Sequence, residues 1–169
     1  IIPVPEIKTL KSYGVPKERI IGASVKEVIE RDFAKITPIA AAHEEFHTEN
    51  GEYKEVGYLV EASGKRIFHA GDCCDYAGLD EKIYGVNVVM LPINGRDDYR
   101  RKNDIIGNMD VKEAIGLAKR ARAGLLIPMH YDLYDVNCVD ENEFIKQAKT
   151  SGLGGKIKTF KTAETIIIK

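Results

Sequence analysis

The segment Arg66-Ile67-Phe68-His69-Ala70-Gly71-Asp72 is a short apolar run that ends at a glycine and is followed by an aspartate. Two later runs end in a similar way. Residues 86–93 stop at Asn94-Gly95-Arg96-Asp97, and residues 124–128 stop at Met129-His130-Tyr131-Asp132. Each run has the length and the β-branched or aliphatic content of a buried strand, so each predicts a strand that delivers polar groups to the end of a sheet. Sheet ends are where α/β proteins keep their chemistry.

The first half of the chain predicts a sheet built mainly from hairpins. Residues 33–42 form a predicted strand whose last residues are small, and this strand ends at His43. The polar segment that follows contains Asn50-Gly51, which is typical of a hairpin tip. Residues 56–62 and 66–70 flank a short turn and predict an antiparallel hairpin.

The second half predicts strands that alternate with helices. Asp110 and Glu113 have the spacing of a capping box, and apolar residues then recur at helical spacing. Asp140 begins a second helix in the same manner. Residues 154–169 predict a final pair of strands, of which the second covers 165–168. Hairpins followed by a β-α-β-α-β order predict an α/β (α+β) fold, with a mixed sheet and helices on its outer face.

The composition is ordinary for a globular chain and excludes several classes of function. The 169 residues are 44% hydrophobic and 30% charged, enough for one domain with its own core. A formal net charge of -1 gives no overall attraction to nucleic acid or to an anionic membrane. No apolar stretch approaches the roughly 20 residues that cross a bilayer, and the first residues lack the layout of a secretion signal. We therefore expect a cytoplasmic protein.

The cysteines and the first residue add two expectations. Three cysteines, two of them adjacent at Cys73 and Cys74, do not suggest a disulfide framework, so free thiols are expected. The chain begins at Ile1 rather than at a methionine. We therefore expect it to be a fragment or a processed product of a longer protein.

His43, Asp72 and His130 share one property: each follows the end of a predicted strand. A lone histidine is more often a structural residue than a ligand, so the prediction depends on all three sharing one place. Two imidazoles and a carboxylate suit Zn, Mn or Fe, and a carboxylate can bridge two ions. The sequence thus predicts that these three side chains converge on a cation site.

Five segments, taken in order, resemble the later motifs of the metallo-β-lactamase superfamily. They are Ala41-Ala42-His43-Glu44, Gly57-Tyr58-Leu59-Val60, His69-Ala70-Gly71-Asp72, Leu91-Pro92-Ile93-Asn94-Gly95-Arg96-Asp97 and Ile127-Pro128-Met129-His130-Tyr131-Asp132. More narrowly, they are similar to its L-ascorbate-6-phosphate lactonase-like branch, which the segment Gly14-Val15-Pro16-Lys17-Glu18-Arg19 also matches. The resemblance covers nearly the whole chain, and the ordered set is more specific than any one segment.

The resemblance implies a four-layer αβ/βα sandwich with one or two divalent ions, Mn or Zn, along its edge. By motif, His43 would be the third-motif ligand, Asp72 the bridging and catalytic carboxylate, and His130 the last ligand. The family's His-x-His-x-Asp-His run is not found among the histidines of this chain, which are His43, His47, His69 and His130. The resemblance therefore implies that residues 1–169 are the C-terminal portion of a single domain. A removed segment or a second chain would supply the rest of the site, and this chain alone would be inactive.

The resemblance also implies an activity, a substrate and the residues that contact it. The activity is hydrolysis of a phosphorylated sugar lactone or ester by hydroxide formed on the ion, which lowers the pKa of bound water from about 15.7 toward about 7. A basic loop is a candidate phosphate clamp, since Arg can hold two phosphate oxygens at once. The candidate substrate-binding residues are Asn94, Arg96, Arg100, Arg101, Lys102 and Asn108. His69 and Asp132 are candidates for supporting the ligands through hydrogen bonds.

Two alternatives remain open. The same fold could act on a phosphodiester or nucleic acid, although the balanced charge and the lack of a basic, aromatic-rich surface disfavour this. The chain could instead be a non-catalytic fragment that exposes a hydrophobic edge and associates to cover it. The expected partners are a small phosphorylated substrate, the missing N-terminal half or a second chain, and further copies in a homo-oligomer, with neither nucleic acid nor membrane among them.

Overall fold

The computed structural model describes residues 1–132, 134–161 and 163–168. Its strands are β1 (Ile2–Pro3), β2 (Gly22–Ala23), β3 (Ile29–Arg31), β4 (Ala34–Ala40), β5 (Thr48–Glu49), β6 (Glu52–Tyr53), β7 (Val56–Ala62), β8 (Lys65–His69), β9 (Val88–Pro92) and β10 (Leu125–Met129). Its α-helices are α1 (Ile7–Ser12), α2 (Leu79–Lys82), α3 (Asp98–Lys102), α4 (Val111–Arg120) and α5 (Glu141–Thr150). No helix in these described ranges is long and apolar enough to span a bilayer.

A six-stranded mixed sheet forms the centre of the fold, in the order β10-β9-β8-β7-β4-β3. Strands β8, β9 and β10 pair in parallel, whereas the remaining pairings in this sheet are antiparallel. Strands β1 and β2 form a separate parallel pair, and β5 and β6 form a small antiparallel hairpin. The predicted α/β class and the predicted mixed sheet are confirmed.

One face of the sheet carries the main hydrophobic core. Leu59, Phe68, Val89 and Leu126 lie opposite one another on successive strands, so their side chains share a face, and all are buried. Helix α4 packs on β9 and against α5, and the apolar sides of both helices belong to the same core. Burying one side chain of this size contributes about 1.5–3 kcal/mol. The helices therefore cover this face of the sheet, as predicted.

Both long helices begin at the aspartates that the sequence indicates. The Asp110 carboxylate accepts from the backbone N–H of Glu113 at 2.8 Å, and the Glu113 carboxylate accepts from the backbone N–H of Asp110 at 2.9 Å. The capping box is therefore confirmed. Asp140 also caps its helix, but it accepts from the N–H of Asn142 at 2.9 Å. The start of α5 is confirmed, with a different hydrogen bond.

The two hairpins are also confirmed, and their turns explain them. Asn50 and Gly51 have φ of 53° and 75°, and Ser63 and Gly64 have φ of 50° and 73°. Positive φ at both central residues is the mark of a type I′ turn, whose backbone matches the right-handed twist of the two flanking strands. The second turn joins β7 to β8 and thereby fixes the register of the strand that leads to Asp72.

The prediction of two strands at the C-terminus is wrong for the residues that the structure describes. Within 154–161 and 163–168 the pairing with the sheet is a single bridge between Ile157 and Leu126. Two backbone hydrogen bonds make it, from Leu126 N to the Lys156 carbonyl at 2.8 Å and from Lys158 N to the Leu126 carbonyl at 3.1 Å. Thr162 and Lys169, which the prediction also covered, lie outside the described residues.

Two short helices, α2 and α3, lie in segments for which the sequence pattern predicts no helix. Helix α2 follows Gly78, which has φ of 84°, and helix α3 begins after Asp97. The Asp97 carboxylate accepts from the backbone N–H of Arg100 at 2.9 Å, which is an ordinary N-cap bond. A helix as short as α3 has too few apolar residues to show the hydrophobic period of a helix. The N-cap residue Asp97 was therefore the feature of the sequence that could have indicated it.

We predict that Asp110→Ala lowers the free energy of unfolding by about 1 kcal/mol, because the N-terminal N–H groups of α4 lose their acceptor. Asp110→Asn is the matched control, since asparagine is an equally good N-cap. Urea unfolding followed by circular dichroism measures both variants. Equal stability of Asp110→Ala and Asp110→Asn would show that the cap contributes nothing.

We also predict that Gly57→Ala destabilises the chain by about 1–3 kcal/mol, the usual cost of overpacking. A Cβ at Gly57 would lie 2.8 Å from the His69 carbonyl oxygen and 2.9 Å from that of Ala70, so β7 and the end of β8 must separate. Gly155→Ala is the control, because a Cβ there meets no atom within 4 Å. Thermal unfolding compares the two variants, and a tolerated Gly57→Ala would contradict the close approach.

Candidate functional site

Several of the predicted site residues line one cavity of about 420 Å³. Its lining consists of His43, Asp72, Asn94, Ile106, Asn108, His130, Tyr134 and Asn137. The three predicted ligands therefore share one cavity, together with the two asparagines that the sequence indicated. Their roles as ligands and substrate contacts stay predictions.

The sheet topology explains this convergence. Strands β4, β8, β9 and β10 all point the same way, since β4 and β8 are both antiparallel to β7 and the other pairings are parallel. Their C-terminal ends consequently meet at one edge of the sheet. His43, Asp72, Asn94 and His130 each follow one of these strand ends by one to three residues.

The backbone at two of these strand ends adopts a left-handed conformation. His130 has φ of 57°, which is uncommon for a residue other than glycine and costs on the order of 1–3 kcal/mol. Gly71, with φ of 66°, supplies the turn before Asp72 without that cost. Such strain in non-glycine residues clusters at functional sites. Here it turns the imidazole of His130 toward the carboxylate of Asp72.

Asp72 and His130 are in direct contact. The Oδ1 atom of Asp72 lies 2.9 Å from Nδ1 of His130, and it accepts a second hydrogen bond from Nδ2 of Asn108 at 3.0 Å. The hydrogen bond from His130 lowers the pKa of Asp72 most, against the opposing effect of burial, and Asn108 and the charge of His43 lower it further. Asp72 is therefore an ionised carboxylate in this cavity.

The donor types at this site fit a divalent cation. A carboxylate can only accept, so Nδ1 of His130 donates to Asp72, and in the neutral ring Nε2 then keeps its lone pair for a ligand. Both donors reach Oδ1 of Asp72, whereas Oδ2 has no hydrogen bond within the described structure. The side chains of Asp72 and His130 remain 46% and 36% exposed, so a cation can reach them.

The donor set is nevertheless incomplete. Within residues 1–132, 134–161 and 163–168, no group of three or more His, Cys, Asp or Glu side chains is arranged so that it could hold a metal ion. Divalent zinc usually takes four ligands, and structural or catalytic sites supply at least three from protein. His43, Asp72 and His130 are donors of the right chemical type, but as placed they do not form such a group, and further ligands are needed to complete a metal site.

The two predicted supporting residues lie in different surroundings. Nδ1 of His69 accepts from the backbone N–H of Gly71 at 3.1 Å, so His69 holds the turn before Asp72, as its position in the sequence suggested. Burial and then the charge of His130 lower the pKa of His69. Asp132 is exposed, two residues past His130. Its predicted role stays untested.

The cysteines beside Asp72 are structural. All three cysteines are free thiols, as predicted, and Cys73 and Cys74 are buried. Burial raises the pKa of Cys73 to about 12, so this thiol stays protonated near neutral pH. Cys73 thus packs in the core next to the cavity.

The four basic residues of the predicted phosphate clamp lie outside the lining of this cavity. Arg96 pairs with Glu113 and also donates to the backbone carbonyl of Asn108 at 3.0 Å. The hydrogen bonds to Glu113 raise the pKa of Arg96. Burial by itself would raise the pKa of Glu113, but the hydrogen bonds from Arg96 and from the backbone of Asp110 lower it overall. Arg100 pairs with Asp97, Arg101 pairs with Asp98, and Lys102 is exposed. Arg96 and Arg100 instead border a neighbouring cavity of about 460 Å³.

Three lining residues were not predicted from the sequence. Ile106, Tyr134 and Asn137 come from the loops that follow β9 and β10. Those loops also carry Asn94 and His130. Their position in the same loops was therefore the feature of the sequence that could have indicated these three residues. Asn137 also accepts hydrogen bonds from Nδ2 of Asn94 at 3.2 Å and from Nε of Arg100 at 2.7 Å.

Comparisons with known proteins agree with this architecture. A UPF0173 metal-dependent hydrolase of Saccharolobus solfataricus is 30% identical over 156 residues, which cover 87% of this chain and 60% of that protein. One of Methanocaldococcus jannaschii is 29% identical over 148 residues, covering 85% of this chain and 60% of the relative. The chain thus spans about 60% of the length of these curated relatives.

Solved structures share the fold. A metallo hydrolase from Ignicoccus hospitalis superposes with a TM-score of 0.73 at 24% identity, covering 97% of this chain and 66% of that one. An isothiocyanate hydrolase from Delia radicum gut bacteria gives a TM-score of 0.73 at 15% identity, with 97% and 65% covered. Residues 6–131, which contain His43, Asp72 and His130, match the family model described as the Beta-lactamase superfamily domain. The chain therefore belongs to the beta-lactamase superfamily.

Proposed function

We propose that this chain carries part of the active site of a metal-dependent hydrolase. The observation that carries the proposal is the contact between the ionised Asp72 and His130, in one cavity with His43 at the C-terminal edge of the sheet. Membership of the beta-lactamase superfamily and relatives named metal-dependent hydrolases support it.

The proposed ligands of the cation are His43, Asp72 and His130. When bound, a divalent cation such as Mn or Zn supplies a Lewis acid and lowers the pKa of water. Asp72 contributes a full negative charge, since hydrogen bonds and nearby imidazoles keep it ionised. The bond from His130 to Oδ1 holds that carboxylate in one orientation and leaves Oδ2 for the cation.

We propose a phosphorylated sugar lactone or ester as the substrate class, in keeping with the lactonase-like motifs. The cavity of about 420 Å³ is polar and lined by amide and imidazole groups, which suit a hydroxylated sugar. Arg101 and Lys102 are exposed cations on helix α3, which follows Asp97. An exposed ion pair such as that between Arg101 and Asp98 contributes little stability, so Arg101 can exchange its partner for a phosphate.

We predict that His43→Ala weakens binding of Mn²⁺ or Zn²⁺ to this chain by more than about tenfold, because even residues that only support a ligand change metal affinity by about 10- to 100-fold. Isothermal titration with each metal chloride measures the affinity. His47→Ala is the matched control, since His47 lies four residues away and outside the lining of this cavity, with its Nδ1 atom 3.3 Å from Oε2 of Glu55.

Two results would contradict the proposal. One is that His43→Ala and His47→Ala bind metal as well as the parent chain does. The other is that the parent chain binds neither ion, which would favour the non-catalytic alternative. With Mn²⁺ or Zn²⁺ supplied, turnover of a phosphorylated sugar lactone compared with that of a simple phosphodiester then separates the proposed substrate class from the phosphodiesterase alternative.

A further inference from the structure

A continuous chain of hydrogen bonds connects Asp72 to Arg100 through three asparagine side chains. Nε of Arg100 donates to Oδ1 of Asn137 at 2.7 Å, and Nδ2 of Asn94 donates to the same oxygen at 3.2 Å. Nδ2 of Asn108 donates to Oδ1 of Asn94 at 3.2 Å and to Oδ1 of Asp72 at 3.0 Å. The path starts at helix α3 and ends at the proposed ligand.

This chain of bonds is shielded from water for most of its length. Asn94 and Asn108 are each 2% exposed and Arg100 is 8% exposed, whereas nearly all other buried side chains are apolar. A buried amide that loses its hydrogen-bond partner is left unsatisfied and without water, which is unfavourable, so each of these groups constrains the orientation of the next. Asn137 is half-buried, so the shielding applies to Arg100 on one side of it and to Asn94 and Asn108 on the other.

Chemistry fixes the direction of every bond in the path. The guanidinium of Arg100 can only donate, and the carboxylate of Asp72 can only accept. If the amide of Asn108 or Asn94 were turned end for end, its oxygen would lie against another oxygen, of Asp72 or of a neighbouring asparagine. If the amide of Asn137 were turned, its NH₂ group would lie against the N–H donors of Arg100 and Asn94. The orientations of the three amides are thus set from both ends, and the amide of Asn108 must present its NH₂ group to Asp72.

Arg100 is itself held firmly. Its Nη1 atom bonds to the Asp97 carboxylate, and Nη2 donates to the backbone carbonyl of Cys138 at 3.1 Å. These contacts tie helix α3 to the loop that follows β10. The guanidinium therefore serves as a fixed point, since each of its three nitrogen atoms is bonded to a protein group.

We propose that Arg100 is a positioning residue for Asp72, which acts through Asn137, Asn94 and Asn108 to hold the carboxylate in its cation-facing orientation. This assigns a role to Arg100 that differs from direct contact with a substrate phosphate. The effect on metal affinity rests on the proposed function. The effect on the asparagine amides does not, because those bonds exist without metal.

The first experiment uses the metal-free chain labelled with ¹⁵N. Arg100→Met removes the terminal donor, and we expect it to shift the side-chain amide signals of Asn94 and Asn108 and to speed their hydrogen exchange. Arg101→Met is the matched control, since Arg101 is the next residue on α3 and also pairs with an aspartate three residues earlier. Arg100→Lys keeps a donor and should restore part of the shift.

A second variant keeps the test decisive if Arg100→Met does not fold. Asn137→Ala breaks the path in its middle while leaving the contacts of Arg100 with Asp97 and Cys138 in place. It should move the same amide signals of Asn94 and Asn108. Unchanged Asn108 signals in a folded Arg100→Met or Asn137→Ala variant would overturn the proposal.

The second readout is the affinity for Mn²⁺ or Zn²⁺. We expect Arg100→Met to weaken binding about tenfold, at the low end for residues that act through a ligand, with Arg101→Met unchanged and Arg100→Lys between the two. Failure of the parent chain to bind either ion counts against the proposed function, and the amide signals then still decide the role of Arg100. Binding by Arg100→Met equal to that of Arg101→Met contradicts the role of Arg100 at the metal.

Discussion

Parallel pairing of β8, β9 and β10 is the constraint on which the site depends. Parallel strands bring their C-terminal ends to one edge, and the antiparallel strand β7 between β4 and β8 adds the end of β4 to that edge. Four separate segments of chain thereby deliver His43, Asp72, Asn94 and His130 to one cavity. The packing of α4 and α5 on one face of the sheet supports these strand ends, and core residues such as Cys73 and Ile93 lie directly beside the site residues in the chain.

The strand ends could be predicted from the sequence because each apolar run stops at a turn residue. The glycine at position 71 and the short run before His130 both carry that signal, and the capping box at Asp110 located α4. The resemblance to a known superfamily added the roles of His43, Asp72 and His130. These features are local in the chain, so pattern and spacing suffice to find them.

The hydrogen-bond path could not be predicted, because it depends on contacts between distant residues. Arg100 and Asn137 are 37 residues apart, and Asn108 and Asp72 are 36 apart. In the sequence, Arg100 is one of several basic residues in a polar segment, and no local feature distinguishes its role from that of Arg101. The difference arises only when α3 packs against the segment after β10, which buries Arg100 and leaves Arg101 on the surface. The prediction of C-terminal strands is wrong for a related reason, because the local sequence does not specify whether the edge strand β10 pairs with this segment beyond Leu126.

The choice of asparagine along the path has a physical consequence for the carboxylate. A lysine or arginine beside Asp72 would hold it as firmly, but its positive charge would repel a divalent cation across the same few ångströms. A neutral amide donates a hydrogen bond without that repulsion. The charge that anchors the path sits instead at Arg100, three amides away, and is balanced there by Asp97. In the proposed role of Asp72 as a ligand, this separation lets His130 and Asn108 fix Oδ1 by hydrogen bonds without a full positive charge from Arg100 beside the carboxylate.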